Sequence, residues 1–256
     1  MNILAIIKDA TRYPLSDWKK ILILGVIILL SNSVSIKSIT PVLITNSVMI
    51  SFLFIVKYII GFFLMGYSFR IIKSSLADEV ELPEFNAWFN MFIDGVKVIM
   101  VFIAYAIPSI LIMLVFVALS FTSTLGIIES NPSTFVADII LGSGIWGLIA
   151  ILYMIIIYPL IVIAITNMAH KGSKLGAAFR LREILKKISN IGWGKLVVWY
   201  IVTVIVFLIL VAIGGLIIAI VDVLIHPIVG QLLILLILLP YLYMYFARST
   251  ALIYKS

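Results

Sequence analysis

Residues 98–120 read VIMVFIAYAIPSILIMLVFVALS, 23 consecutive residues without a charged side chain. A helix needs about 20 apolar residues to cross the ~30 Å hydrocarbon layer of a bilayer, so this run predicts a transmembrane helix. Residues 230–246, GQLLILLILLPYLYMYF, form a second uncharged run, of 17 residues. The chain therefore contains more than one segment whose natural solvent is lipid.

The composition of the whole chain agrees with these two runs. Of the 256 residues, 64% are hydrophobic and 11% are charged, whereas soluble domains are about half apolar and about a quarter charged. This balance excludes a soluble globular class, and no stretch is left for a separate soluble domain. The chain contains no cysteine, which excludes disulfides, thiolate metal sites and thiol catalysis.

The remaining hydrophobic runs predict an all-α, polytopic membrane helix bundle of six transmembrane helices, formed by residues 1–256 as a single integral membrane domain. The expected spans are residues 18–35, 46–69, 96–120, 137–166, 196–223 and 230–252. The first apolar run is short, and we expect it to be a retained helix rather than a cleaved signal. The fourth span contains Pro159 and is long for a bilayer, so we expect it to be tilted, kinked or prolonged.

The distribution of Lys and Arg predicts the orientation of these spans, because positively charged flanks resist translocation. With both termini inside, 16 of the 18 Lys and Arg residues fall in inner segments. Lys37 is in an outer loop and Lys57 is within a span. We therefore expect a multi-pass protein of the plasma membrane with cytoplasmic N and C termini, whose net charge of +7 faces anionic lipid headgroups. No nucleic-acid-binding module is recognisable outside the spans.

A short amphipathic segment precedes each odd-numbered span. Pro83–Asp94 is predicted to be a short helix, because five apolar side chains follow one another at helical spacing. These are Phe85, Trp88, Phe89, Phe92 and Ile93, and the four aromatic residues among them are expected to anchor the segment in the membrane interface. Residues 3–12 and 180–188 repeat the pattern, which predicts three interfacial helices on the cytoplasmic face and pseudo-repeats near 1–75, 82–170 and 177–256.

A Trp and then a Lys lie in or after each amphipathic segment and are expected to anchor the chain at the headgroup level. The pairs are Trp18 with Lys19, Trp88 with Lys97, and Trp193 with Lys195. Two interpretations stay open. The interfacial helices either set the depth of the spans and shield the bundle, or they bind lipids or partner proteins.

The segment from Gly66 to Lys97 resembles the domain-of-unknown-function 4013 family (DUF4013) of archaeal polytopic membrane proteins. The residues that carry the resemblance are Gly66, Tyr67, Arg70, Leu82, Pro83, Glu84, Phe85, Trp88, Phe92, Asp94, Gly95 and Lys97. The resemblance implies an archaeal plasma membrane location. It supplies no catalytic residue to transfer.

Lys57 lies near the middle of the second predicted span, where a charge costs a few kcal/mol or more. Its ammonium either snorkels, pairs with backbone carbonyls, loses its proton, or contacts an anion or lipid phosphate in a central cavity. Hinge candidates are residues that free a carbonyl or weaken a helix, namely Pro108, Pro159, Gly214, Gly215 and Pro240. Further glycines, Gly61, Gly66, Gly142, Gly144 and Gly147, are expected to permit close packing of spans or self-association.

No catalytic residue, metal site or cofactor is predicted. His170 and His226 are expected at opposite membrane faces, and Asp222 is expected to hydrogen-bond His226 at a helix end. The expected function is therefore a non-catalytic membrane component that binds lipids or partner proteins at the cytoplasmic interface. The alternative is a transporter or lipid-translocating protein with a central cavity near Lys57.

Overall fold

The computed structural model describes the backbone of residues 2–32, 47–127 and 132–256. Within these ranges it also describes the side chains, except those of residues 47–50, 53 and 116–145. Every regular element in this part of the chain is helical. The described residues form nine α-helices: α1 Ile3–Arg12, α2 Trp18–Asn32, α3 Ser47–Leu76, α4 Trp88–Ile127, α5 Pro132–His170, α6 Leu181–Ile191, α7 Trp193–Leu224, α8 Pro227–Leu233 and α9 Leu239–Lys255. A π-helical segment, Ile234–Leu238, joins α8 to α9, and 3₁₀ turns occupy Tyr13–Ser16 and Leu175–Phe179.

Five helical segments in the described part of the chain are long and apolar enough to cross a membrane. They are Phe54–Leu76, Trp88–Val115, Trp146–His170, Trp193–Leu224 and Pro227–Lys255. The expectation of a multi-pass helical membrane protein is thus confirmed at this level. The first expected span is represented by α2, whose 15 residues cover about 22 Å, short of the ~30 Å hydrocarbon layer.

The chain divides into two compact units, Met1–Ile99 with Ile163–Ser256, and Met100–Val162. In the first unit α9 packs along α3 and α1, and α2 lies against both α3 and the π segment. The most deeply buried large side chains here include Trp199, Tyr67, Tyr245 and Phe69. In the second unit, the Tyr153 hydroxyl donates to the carbonyl of Tyr105 at 3.1 Å, and the Ser109 hydroxyl donates to that of Ala150 at 3.4 Å.

Two of the three amphipathic segments are separate helices, α1 and α6. The prediction of a helix beginning at Pro83 was wrong, because residues 83–87 are irregular and Trp88 is the first residue of α4. Ala87 adopts a left-handed φ of 45°, which an α-helix of L-residues does not tolerate. The helix that follows continues without interruption for 40 residues.

The proline and glycine hinge candidates all lie within or beside continuous helix. Pro108 is inside α4, Pro159 is inside α5, and Gly214 and Gly215 are inside α7. Pro240 follows the π segment, where the helix widens just before the residue that cannot donate to Leu236.

The carbonyl that Pro240 leaves without its helical donor contacts α2. A Cβ placed on Gly25 would lie 2.4 Å from the Leu236 oxygen, so only glycine lets α2 approach it this closely. Pro240 was predicted to free a carbonyl, but Gly25 was not predicted as its neighbour.

Candidate functional site

One end of the first unit carries a group of basic residues that bind neighbouring backbone carbonyls, and we call it the basic end. These residues are Lys20, Arg70, Lys97, Arg248 and Lys255. Trp18, Trp88 and Trp193 are the first residues of α2, α4 and α7. Their side chains are 53%, 47% and 55% exposed. Half-exposed tryptophans at the start of apolar helices are typical of the membrane–water interface, where one part of the ring contacts lipid and another contacts water.

The two amphipathic helices border this end. Helix α1 buries Ile6 and Ala10 and leaves Leu4 exposed. Helix α6 buries Ile184, Ile188 and Ile191. Both helices therefore dock on the first unit by one apolar face, and further apolar side chains beside them remain on the surface, among them Leu181, Leu185 and Phe179.

The connection between α3 and α4, residues 77–87, crosses the basic end, and we call it the strap. Side-chain donors from other elements bind its backbone carbonyls one after another. The Tyr13 hydroxyl donates to the Glu81 oxygen at 3.1 Å, and the Lys20 ammonium donates to the Leu82 oxygen at 2.6 Å. The Tyr67 hydroxyl donates to the Pro83 oxygen at 3.1 Å.

A single guanidinium, that of Arg70, binds the final part of the strap. It donates to the carbonyl oxygens of Glu84 at 2.8 Å, Asn86 at 2.7 Å and Ala87 at 3.4 Å, and to the Asn86 side chain at 3.0 Å. The planar guanidinium of Arg carries five N–H donors, so it can bind several carbonyl oxygens at once. These bonds satisfy the backbone acceptors that a helix over residues 83–87 would have used, which explains why the strap is stable without being helical.

Aromatic rings fix the strap to α3. The ring of Phe85 stacks on that of Tyr67 with centroids 4.0 Å apart and an interplanar angle of 8°. Phe92 contacts Phe62 at 5.3 Å and Phe63 at 5.4 Å. Of the predicted membrane anchors in this region, Phe85 and Phe92 thus pack between α3, the strap and α4, whereas Phe89 is 74% exposed.

Two glycines bring α3 and α4 into backbone contact. A Cβ on Gly66 would lie 1.8 Å from the Met91 oxygen, and one on Gly95 would lie 1.8 Å from the Phe62 oxygen. A Cβ on Gly61 would meet no described atom within 4 Å. Close packing is therefore confirmed for Gly66 and not for Gly61. Gly142 and Gly144 lie outside the described side chains.

The lysines predicted as anchors have different surroundings. Lys97 forms an ion pair with Asp94 at 3.5 Å and donates to the Ser173 carbonyl at 3.0 Å. Asp94 also forms an ion pair with Lys73 at 3.6 Å. Lys19 is exposed and Lys195 is half-buried. Lys97 therefore connects α4 to the chain that follows α5.

Arg248 on α9 is the most buried cation of the basic end, at 6% exposure. Its guanidinium contacts Asp9 at 2.7 Å, the Ser75 hydroxyl at 3.1 Å and the Glu79 carbonyl at 2.8 Å. It also lies over the Tyr13 ring, 4.6 Å from the centroid. Burial raises the pKa of the Tyr13 phenol. Arg248 thus joins α1, α3, α9 and the strap.

Helices α5, α6 and α9 enclose an open cleft of about 450 Å³ at the basic end, which we call the basic cleft. Its lining includes four lysines, one histidine and one glutamate. These are His170, Lys171, Lys186, Lys187, Lys255 and Glu183. The charge distribution predicted these lysines on the cytoplasmic face, but no local pattern predicts that they share one cleft.

Lys57 lies on α3 and is half-buried. The Ser31 hydroxyl donates to its backbone carbonyl at 3.2 Å, and no carboxylate in the described part of the chain forms an ion pair with its ammonium. The alternatives given above for the Lys57 ammonium therefore stay predictions.

His226 does not finish α7 through Asp222 as predicted. Its Nδ1 accepts from the backbone N–H of Ile228 at 3.2 Å, so it caps α8. In the described residues, no three His, Asp or Glu side chains are grouped closely enough to hold a metal ion.

Comparison with known proteins identifies a family match. A family model described as "Protein of unknown function (DUF4013)" matches residues 49–219, about two thirds of the chain. The match contains the whole strap and both glycines of the α3–α4 contact. No curated protein and no solved structure matches the chain.

Proposed function

The chain belongs to the DUF4013 family of proteins of unknown function, and we propose that it is a non-catalytic integral membrane component that binds anionic lipids at its basic end. The observation that carries the proposal is the arrangement of Trp18, Trp88 and Trp193. Each begins a helix at the same end and is half-exposed. This arrangement supports a headgroup-level rim on which basic residues contact lipid phosphates.

The proposal includes six spans, with α2 as the beginning of the first, and cytoplasmic termini in the plasma membrane. The charge distribution supports this orientation, since anionic lipids attract Lys and Arg at about 1 kcal/mol per residue near the surface. The absence of cysteine permits single-cysteine topology mapping without background. Ser256→Cys is expected to resist a membrane-impermeant maleimide in intact cells, whereas Glu129→Cys is expected to react.

Lipid selectivity is tested with the purified full chain in vesicles of phosphatidylcholine, with or without about one quarter phosphatidylglycerol. The anionic vesicles are expected to raise the midpoint of thermal unfolding by several degrees, because a ligand that binds only the folded state stabilises it. The effect should shrink in high salt, which screens exposed charges. Equal midpoints in both vesicles would refute lipid binding as the function.

The same vesicles test the transport alternative. Loaded with small solutes and labelled lipids, they are expected to show no flux beyond that of protein-free vesicles. Protein-dependent flux that Lys57→Leu abolishes would replace the proposed function with transport through a cavity near Lys57.

A further inference from the structure

The basic cleft has an uncompensated positive charge. Its one acid, Glu183, forms an ion pair at 3.1 Å with Arg180. Arg180 does not itself line the cleft. That hydrogen bond holds the pKa of Glu183 below its usual range. Lys255 pairs with Asp78. Among the described residues, Lys171, Lys186 and Lys187 form no ion pair.

Lys187 is held in a fixed place in this cleft. Its ammonium lies 4.6 Å from the centroid of the Tyr254 ring. The Tyr254 hydroxyl donates to the Asn167 oxygen at 2.9 Å, and the Asn167 amide donates to the Ala177 carbonyl at 2.9 Å. This buried chain of contacts makes one wall of the cleft rigid, so a bound group would meet a preorganised cation.

The partial burial of Lys187 favours the binding of an anion next to its ammonium. Partial burial lowers the pKa of its ammonium, because a low-dielectric environment disfavours the charged form. A bound anion would compensate that cost. Another cleft of this end, of about 410 Å³, differs in that it contains the Arg248–Asp9 ion pair beside its other cations, Lys8 and Arg12.

The position of the cleft indicates where its ligand resides. Exposed apolar side chains lie on α6 and at its two ends: Leu181 is 52% exposed, Leu185 43% and Trp193 55%. Apolar side chains of this kind insert into the acyl boundary when an amphipathic helix lies in the interface. The lysines of the cleft then stand at the level of lipid phosphates.

We infer that the basic cleft is a binding site for one phosphate group at the headgroup level, with Lys171, Lys186 and Lys187 as its cationic ligands. The inference deepens the proposed function and rests on it for the lipid source of the phosphate. A phosphomonoester, with a charge near −2 at neutral pH, matches several unpaired lysines better than a phosphodiester with one charge. The site therefore favours phosphatidic acid over phosphatidylglycerol.

Native mass spectrometry of the detergent-purified full chain tests the site. Phosphatidic acid, phosphatidylglycerol and phosphatidylcholine are titrated separately, and glycerol 3-phosphate and inorganic phosphate serve as soluble sources of the same group. One phosphatidic acid per chain is expected to bind most tightly. The combined substitution Lys186→Gln and Lys187→Gln should weaken it by about tenfold, as expected for losing two charge-assisted contacts.

The matched control removes the same charge outside the cleft. Lys174→Gln with Arg182→Gln alters two exposed cations, one directly before the 3₁₀ turn at Leu175 and one on α6, and is expected to change the affinity by less than about twofold. Lys171→Gln, an exposed member of the cleft, provides a second probe that does not disturb the packing of α6. It is expected to weaken binding by about threefold.

The outcomes separate the site from the broader function. Tight binding of glycerol 3-phosphate that the cleft variants abolish would support the phosphate site and assign it a soluble source. Equal losses in the cleft and control variants would overturn the site while leaving anionic-lipid binding intact. A wild-type chain that does not distinguish phosphatidic acid from phosphatidylcholine would overturn both.

Discussion

Replacement of Gly66 by Ala tests the contact between α3 and α4. The added Cβ would lie 1.8 Å from the Met91 oxygen, whereas ordinary contact begins near 3.4 Å. The obstructing atom is backbone, so the helices must separate by about 1.6 Å. That shift would open the Phe62–Phe92 ring contact and the backbone approach of Gly95 to Phe62.

The expected cost of Gly66→Ala is about 2 kcal/mol or more, at the upper part of the range for overpacked cores. The better helix propensity of Ala offsets at most about 1 kcal/mol. For a chain of this size, the midpoint of thermal unfolding should fall by about 5 °C or more. Tryptophan fluorescence of the purified chain measures it, since Trp88 lies against Phe63, with ring centroids 5.9 Å apart.

Gly61→Ala is the matched control on the same helix. Its Cβ would meet no described atom within 4 Å, so this variant should retain the wild-type midpoint or gain up to about 1 kcal/mol from helix propensity. Equal destabilisation by the two substitutions would refute the close contact as the reason for glycine at position 66. An unchanged midpoint in Gly66→Ala would refute it as well.

Three further perturbations concern the charged residues of the basic end. Arg248→Met should cost about 3 kcal/mol in chemical or thermal unfolding, because it removes a buried cation from Asp9 and the Glu79 carbonyl; the exposed Arg182→Met should stay within about 0.5 kcal/mol, and similar losses in both would contradict the role of Arg248. Arg70→Gln should release the carbonyls of Glu84 and Asn86 and speed cleavage of the strap by a glutamate-specific protease about tenfold; cleavage at the wild-type rate would show that the guanidinium does not hold the strap. Phosphatidic acid affinity should fall as the pH rises and should begin to fall below the ordinary pKa of a lysine, about 10.4, since burial lowers the pKa of Lys187 and the anion binds its protonated form. Lys187→Gln should flatten this profile, and a profile that keeps its slope would assign the titration to another side chain of the cleft, namely His170, Lys171, Glu183, Lys186, Tyr254 or Lys255.

The helical membrane class and the main spans could be predicted because each depends on local composition. Runs such as 98–120 are apolar over the length of a bilayer whatever they pack against. Trp18, Trp88 and Trp193 were predicted as interfacial markers for the same reason, and all three begin helices. The amphipathic helices α1 and α6 also follow from their own periodicity.

The middle amphipathic segment shows where periodicity misleads. Phe85, Trp88 and Phe92 are spaced as on one helical face, yet Phe85 belongs to the strap and stacks on Tyr67. Donors on α2, α3 and the 3₁₀ turn at Tyr13 bind the strap carbonyls. A local pattern does not include these distant donors, so it overestimated the helix.

The structure gives physical roles to the residues that carry the DUF4013 resemblance. Gly66 and Gly95 permit backbone contact, Tyr67 and Arg70 bind strap carbonyls, and Asp94 pairs with two lysines. The motif could be recognised from its letters alone. Its role in joining α3, the strap and α4 required their positions in space.

Hydrophobic run length and amphipathic periodicity are properties of the chain itself, and they were sufficient for the helical class, most of the span positions and the presence of a basic face. The contacts of Arg248 with Asp9 and of Lys187 with Tyr254 join residues 239 and 67 positions apart. Only packing brings such residues together, since no local rule relates the faces of helices distant in sequence. The tertiary structure therefore decided which cations are paired inside the protein and which remain available in the basic cleft.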